Sequence, residues 1–260
     1  MEKKDILCAT DLSPASKTAV SYAMDLSRRA SSSLKLLHVI GDEKERASAL
    51  QAMRSQAEAA GSADVGQLVA LGEPLEQIAQ ECARGHWLMV LATHGLRGLR
   101  QKLLGADILK LVRKVHIPCL VVKEQSPKDL GIGPFVLPVA AHEDVDRLID
   151  IVIELSRIYS AEVHVYRLLR PGENPSDELL RNRAKMEERL ITAGVKHQMV
   201  DEPRHSASIG FAGPTIDYAE KAGAALIAMM SHASKEYTYM ADAEKERLLT
   251  NPANIPILCC

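Results

Sequence analysis

The residues best suited to chemistry lie in one short stretch, Ala92-Thr93-His94-Gly95-Leu96-Arg97-Gly98-Leu99-Arg100-Gln101-Lys102-Leu103-Leu104-Gly105-Ala106. Glycines let a backbone approach phosphate oxygens closely, and a helix N-terminus offers free amides with partial positive charge. Gly95, Gly98 and Gly105 supply the first, and a helix expected to start near Ala106 supplies the second. Arg97, Arg100 and Lys102 add formal charge. The stretch reads either as a phosphate cradle or as turn glycines with a solvated basic face. Neither GxxxxGK(S/T) nor GxGxxG occurs anywhere in the chain.

Asp11 is the second candidate. It ends an apolar run, where a carboxylate could accept from a ribose hydroxyl or an adenine amino group; equally, it could initiate the turn before Pro14. His38, His94 and His232 raise a metal or acid–base reading. His94 and His232 recur after matching apolar runs, which favours a shared structural role such as bonding carbonyls at a strand end. No metal site is expected, because no companion ligands stand at suitable spacing. The five cysteines, Cys8, Cys82, Cys119, Cys259 and Cys260, form no CxxC or CxxH pattern and read as reduced thiols. At least one of the vicinal pair Cys259-Cys260 is expected to face inward.

These residues are positioned by elements that occur twice. Leu26-Ser27-Arg28 precedes Leu34-Lys35-Leu36-Leu37-His38-Val39, and Leu155-Ser156-Arg157 precedes Val163-His164-Val165-Tyr166-Arg167-Leu168, at an offset of 129. Gly85 to His94 matches Gly223 to His232 at an offset of 138, so the second copy is about nine residues longer in its middle. Ile6 to Thr10 is followed by Ser13 and Pro14, a helix cap and first-turn pair, and then by Val20, Ala23, Met24 and Ser27 at helical spacing. Val145, Leu148, Ile149, Val152 and Leu155 form the matching stripe. Gly61, Gly85, Gly194 and Gly223 stop further helices. Each copy closes with an apolar run after proline, Pro118 to Val122 and Pro256 to Cys260. Between the copies, residues 125–134 carry two prolines and two glycines; residues 125–133 read as a linker, leaving domains at 1–124 and 134–260.

Apolar strands alternating with helices predict an α/β fold of two doubly wound, Rossmann-like parallel sheets in tandem. In such sheets the ligand crevice lies beyond the carboxyl ends of the strands. The loops after the first and fourth strands, Asp11 to Ser13 and Thr93 to Gly105, are therefore the candidate site.

Composition narrows the function. At 3% aromatic residues the chain lacks stacking platforms for single-stranded nucleic acid, and a net charge of −2 predicts no general affinity for polyanions. Charge is uneven, with 18 Lys and Arg against 15 Asp and Glu in residues 1–130, and 14 against 19 in residues 131–260. An anionic ligand is better hosted by the first half. No run reaches bilayer-spanning length and Glu2-Lys3-Lys4-Asp5 is unlike a signal peptide, so a cytoplasmic protein without membrane contact is expected.

Ile6 to Asp11 with Ser13, Leu37-His38-Val39, Thr93-His94-Gly95 with Gly105, and Ile117 to Val122 together resemble a tandem universal stress protein over essentially the full chain. The resemblance implies two five-stranded parallel sheets of the adenine nucleotide alpha hydrolase-like type, and a stress-response role as a nucleotide-responsive or protein-interaction module. It implies ATP or ADP in the first half, around Ala9, Thr10, Asp11, Val39, Ala92, Gly95, Arg97, Gly98, Gly105 and Ala106. The family's motif of Gly, two residues, Gly, nine residues, Gly and Ser or Thr falls on Ala92, Gly95, Gly105 and Ala106, so two of four positions are kept. Ala106 removes a phosphate-binding hydroxyl, and Asp107 offers a carboxylate to the amides that a phosphate would use. In the second half Asp11 becomes Ala140, Gly95 becomes Ala233, and no glycine follows Gly223. That half is expected to serve as a structural partner, pairing Cys119 to Val122 with Ile257 to Cys260 as an internal pseudo-dimer; a further homodimer and a client or regulatory protein are the other partners considered. Without a nucleophile–base pair or a magnesium-ligand cluster, no vigorous ATPase is expected, and no catalytic residue is assigned. A hydrolase or ligase of related type needs a Ser/Gly-rich pyrophosphate loop or a HIGH-type motif, and Ala9 to Ser13 is neither. The alternative is a nucleotide-free scaffold with both sites degenerate.

Overall fold

The computed structural model describes residues 5–62, 64–93, 105–169, 172, 174–203, 210–234 and 240–260. The chain divides into two compact units, residues 1–129 and 130–260. In the first, β1 (Ile6–Ala9), β2 (Leu34–Ile40), β3 (Gly66–Leu71), β4 (Leu88–Ala92) and β5 (Cys119–Val122) lie in the order β3-β2-β1-β4-β5, every pair parallel. The helices α1 (Pro14–Ala30), α2 (Arg46–Ala59), α3 (Pro74–Cys82) and α4 (Gly105–Lys114) connect them. The second unit repeats this with β6 (Phe135–Pro138), β7 (Val163–Leu169), β8 (His197–Pro203), β9 (Leu226–Met229) and β10 (Ile257–Cys259), in the order β8-β7-β6-β9-β10. Its helices are α5 (Asp146–Tyr159), α6 (Asp177–Thr192), α7 (Ala212–Lys221) and α8 (Ala241–Leu249).

Strands β1, β4, β5, β9 and β10 are buried along their whole length. This is why they are written as unbroken apolar runs, with helices covering both faces. The edge strands β3 and β8 mix buried and exposed positions.

The repeated Leu-Ser-Arg triplets are helix-ending devices. Helix α1 stops at Ser31 in the left-handed conformation (φ 50°), and α5 stops at Ser160 (φ 53°), one offset of 129 later. The Ser27 hydroxyl donates to the Ser32 carbonyl (2.6 Å) and the Ser156 hydroxyl to the Ala161 carbonyl (3.2 Å). The amides of Ser32 and Ala161 return bonds to the carbonyls of Ser27 and Ser156 at 3.0 and 2.9 Å. Orphaned carbonyls at both helix ends are satisfied in the same way.

The segment read as a linker is tied down. The buried Tyr22 hydroxyl donates to the Asp129 carbonyl (3.0 Å), and a side chain at Gly133 would collide with the Gly223 carbonyl. Strand order reverses between β1 and β4 in the first unit, and between β6 and β9 in the second. A crevice therefore opens beyond the carboxyl end of each sheet.

Candidate functional site

In the first unit, β1 delivers Thr10 and Asp11 to the crevice, and the chain must then turn into α1. Ser13 caps that helix, its Oγ accepting from the Ser16 amide (3.3 Å), with Pro14 opening the first turn. Between them Leu12 takes φ 66°, a costly conformation for a bulky side chain. It is held there by its own amide donating to Thr10 Oγ1 (3.1 Å), and by the Ser13 amide donating to Asp11 Oδ1 (3.0 Å). The Ser16 hydroxyl also donates to Asp11 Oδ1, and the Asp11 amide donates to Ser16 Oγ (3.2 Å). At least one carboxylate oxygen of Asp11 thus works as a turn and cap acceptor.

Two residues that the sequence did not single out complete this corner. Gln56 of α2 is buried; its Oε1 accepts from the Thr10 hydroxyl (2.8 Å) and its Nε2 donates to the Ser13 carbonyl (3.5 Å). Ser16 is the other. His38 Nδ1 donates to the Thr10 carbonyl (2.7 Å), a structural bond that fixes the end of β1 against β2. Val39 is half-buried beside it, in a strand whose Leu36, Leu37 and Ile40 are fully buried. Ala9 and Ala92 are buried at the ends of their strands.

Gly105 is the first residue of α4, followed by Ala106 and by Asp107, whose carboxylate pairs with Lys110 (3.4 Å). His94, Gly95, Arg97 and Gly98 lie outside the described residues. His232 is exposed after β9, and its Nδ1 shares a hydrogen bond with the Ser231 hydroxyl (3.2 Å) in place of the strand-end carbonyl expected for it. Among the described residues, no three or more His, Cys, Asp or Glu side chains gather as a metal set would. Also among them, no helix is long and apolar enough to cross a membrane.

The second crevice is built from different residues. Val139 and Ala140 follow β6, and Asn182 of α6, almost fully buried, donates to the carbonyls of Ala140 (2.9 Å) and His142 (2.8 Å). A cavity of about 520 Å³ opens here, walled by Val139, Leu148, Leu179, Met186, Phe211 and Met229, with His142 and Lys245 among its polar lining. Lys245 is only 4% exposed, and its Nζ donates to the Met230 carbonyl (2.7 Å). Burial first, and then the charges of Lys245 and His232, push the His142 imidazole down to a pKa of about 4. Glu244, next to Lys245, turns the other way. It accepts from the amides of Phe211 (2.6 Å) and Ala212 (2.7 Å), satisfying the N-terminus of α7 with a carboxylate.

The sequence model of the Universal stress protein family matches residues 3–123. No curated protein matches the chain. Among solved structures, a universal stress protein from Archaeoglobus fulgidus DSM 4304 is similar over 99% of this chain and 96% of its own, at 16% identity and a TM-score of 0.68. A functionally unknown protein from Pseudomonas aeruginosa PAO1 covers 99% and 92%, at 17% identity and a TM-score of 0.62. The cytoplasmic domain of a prokaryotic cation chloride cotransporter covers 99% and 95%, at 14% and 0.56. At such identities the likeness is one of fold. Residues 3–123 therefore match the Universal stress protein family, and the whole chain shares the parallel α/β fold of its structural neighbours.

Proposed function

We propose that the chain is a tandem universal stress protein that acts as a nucleotide-responsive or protein-interaction module, with its first unit admitting ATP or ADP weakly. The observation that carries this reading is the corner after β1. Leu12 is held in a left-handed turn beside a half-exposed Val39, at the point where strand order reverses. Strained backbone held by its surroundings clusters at ligand sites. Thr10, Asp11 and Val39 would face the adenine and ribose, and the amide end of α4 at Gly105 and Ala106 the phosphates. The family match over residues 3–123 supports the assignment.

The fit is partial. Ala106 offers no hydroxyl, and a hydrogen bond to a charged group is worth about 1.5–3 kcal/mol, or roughly ten- to hundredfold in affinity. Asp107 in the first turn of α4 repels phosphate as well. Titration of the full chain with ATP and ADP up to millimolar concentration, followed calorimetrically, tests the reading. Ala106→Ser should tighten binding about tenfold, and Gly105→Val should abolish it in a protein whose circular dichroism is unchanged. Unchanged affinity in both variants places the ligand elsewhere.

One observation favours a second reading, a nucleotide-free scaffold: Asp11 Oδ1 already accepts from the Ser13 amide and the Ser16 hydroxyl. Under it, heat-denatured protein purified from cells releases no adenine nucleotide, and millimolar ATP leaves the melting temperature where it was.

A further inference from the structure

We propose that the second unit binds an amphipathic monocarboxylate, a molecule with a straight apolar body and a single carboxylate, in the cavity beyond β6, β7 and β9, with the carboxylate against Lys245. The site is independent of the nucleotide reading of the first unit.

Size comes first. About 520 Å³ falls within the range of small-molecule pockets. A saturated carboxylate of about twelve carbons is a small molecule of the kind such pockets take. The position is that of a ligand crevice in an open parallel sheet, outside the carboxyl ends of the strands where their order reverses.

The lining selects the chemistry. Val139, Leu148, Leu179, Met186, Phe211 and Met229 present hydrocarbon and thioether surface, which rewards an apolar body. Several of the polar groups at the rim are committed to partners within the protein. Arg167 donates Nε and Nη2 to the Asp201 carboxylate (2.8 and 2.9 Å), and Ser176 Oγ caps α6 through the Leu179 amide (3.3 Å). Lys245 brings a positive charge to the wall of this low-dielectric space, where its Nζ donates to the Met230 carbonyl. Hydrocarbon walls with a cation at one end are complementary to an apolar chain with an anionic head.

A nucleotide is excluded by the same wall. No glycine follows Gly223 to let backbone approach a phosphate, and Ala140 stands where the first unit has Asp11. The first turn of α8 carries Asp242 and Glu244, which repel a polyanion. The amides at the start of α7 already hold the Glu244 carboxylate.

Calorimetric titration of the full chain with sodium dodecanoate, kept below its micellar concentration, tests the proposal, with dodecanol and ATP as comparison ligands. Dodecanoate should bind with one site per chain, at least tenfold more tightly than dodecanol, and its affinity should be unmoved by millimolar ATP. Lys245→Met, which keeps the stem and removes the charge, should weaken dodecanoate at least tenfold and leave dodecanol alone. Should that variant fail to fold, Leu179→Trp fills the cavity from a half-exposed helix position and should abolish binding of both. Absence of dodecanoate binding by the wild-type chain overturns the proposal. Binding that survives Leu179→Trp, or dodecanol binding as tightly as dodecanoate, overturns it too.

Discussion

His142 makes the second crevice sensitive to acid, and the size of the effect follows from its surroundings. The imidazole lines the cavity; burial first, and then the charges of Lys245 on α8 and His232 after β9, lower its pKa from 6.5 to about 4. Because the folded value lies below the unfolded one, the unfolded chain binds the extra proton first. The contribution is therefore fully present above about pH 6.5 and is lost progressively as pH falls toward 4. At pH 5 the unfolded imidazole is almost wholly protonated and the folded one hardly at all, a difference of about 2 kcal/mol. Carboxylates elsewhere also titrate in this range, so the comparison is with His142→Gln. Urea unfolding at pH 7 and pH 5 should show the wild-type chain losing about 2 kcal/mol more than the variant. The proton resonances of His142 should stay those of a neutral ring down to pH 5. Equal pH dependence in the two proteins, or a ring that titrates above pH 6, refutes the reasoning.

Three further outcomes are expected. Asn182→Leu leaves the His142 carbonyl without its Asn182 donor, while the Ala140 carbonyl keeps the His142 amide at 2.9 Å; at about 1–3 kcal/mol for one orphaned acceptor, the unfolding midpoint in urea should fall. Gly210→Ala should lower the melting temperature by several degrees, since Gly210 sits at φ 102° and a methyl there would land on the Glu244 carboxylate that caps α7. Burial raises the thiol pKa of Cys8, Cys82 and Cys259, and that of Cys260 to about 12, so none of the four should react with a disulfide reagent at pH 8 until the chain is unfolded.

The parts of the fold that could be read from the residues are those with local causes. Ser13-Pro14 caps a helix wherever it meets an amphipathic run, and the unbroken apolar runs of β1, β4, β5 and β10 report strands covered on both faces. Strands β3 and β8 went unread because GQLVAL and HQMVDEP mix exposed and buried positions with no clean alternation. At the candidate site, Asp11 was placed at the crevice, with its turn role one of two readings, and the structure engages its Oδ1 in that turn. Gln56 and Asn182 were missed, although each carries a signal. Gln56 lies one turn after Met53, and Asn182 one turn before Met186, so both are amides on buried stripes that demand partners. Lys245 and Glu244 gave no such signal: within ADAEKERLL they look like a solvated helix face, and only tertiary structure buries them. The cavity is a property of packing in space, which no local pattern reports. The missing glycines after Gly223 take away close backbone approach to a phosphate and carry no information about an apolar ligand.

One pair of positions shows how two copies of a scaffold can diverge without disturbing it. At the offset of 138, Asp107 corresponds to Lys245. Asp107 is the third residue of α4, in the first turn, where the positive end of the helix dipole favours a carboxylate. Helix α8 starts at Ala241, two residues earlier than that correspondence would place it, so Lys245 lies in the second turn. There the dipole's opposition to a cation has largely fallen away, since the effect fades within a turn. A small change in where the helix begins thus makes room for a charge of opposite sign. The strands and the left-handed serine caps at Ser31 and Ser160, which hold each sheet to its first helix, keep their register throughout. Under the two binding proposals, ligand preference is set by a few residues at the carboxyl end of each sheet, and stability by the caps and buried runs beneath them. Exchanging the charges, with Lys245→Asp in one protein and Asp107→Lys in another, should therefore alter ligand binding far more in the second unit than in the first. Lys245 is buried at a cavity wall, whereas Asp107 is partly exposed and paired with Lys110, where solvent screens its field.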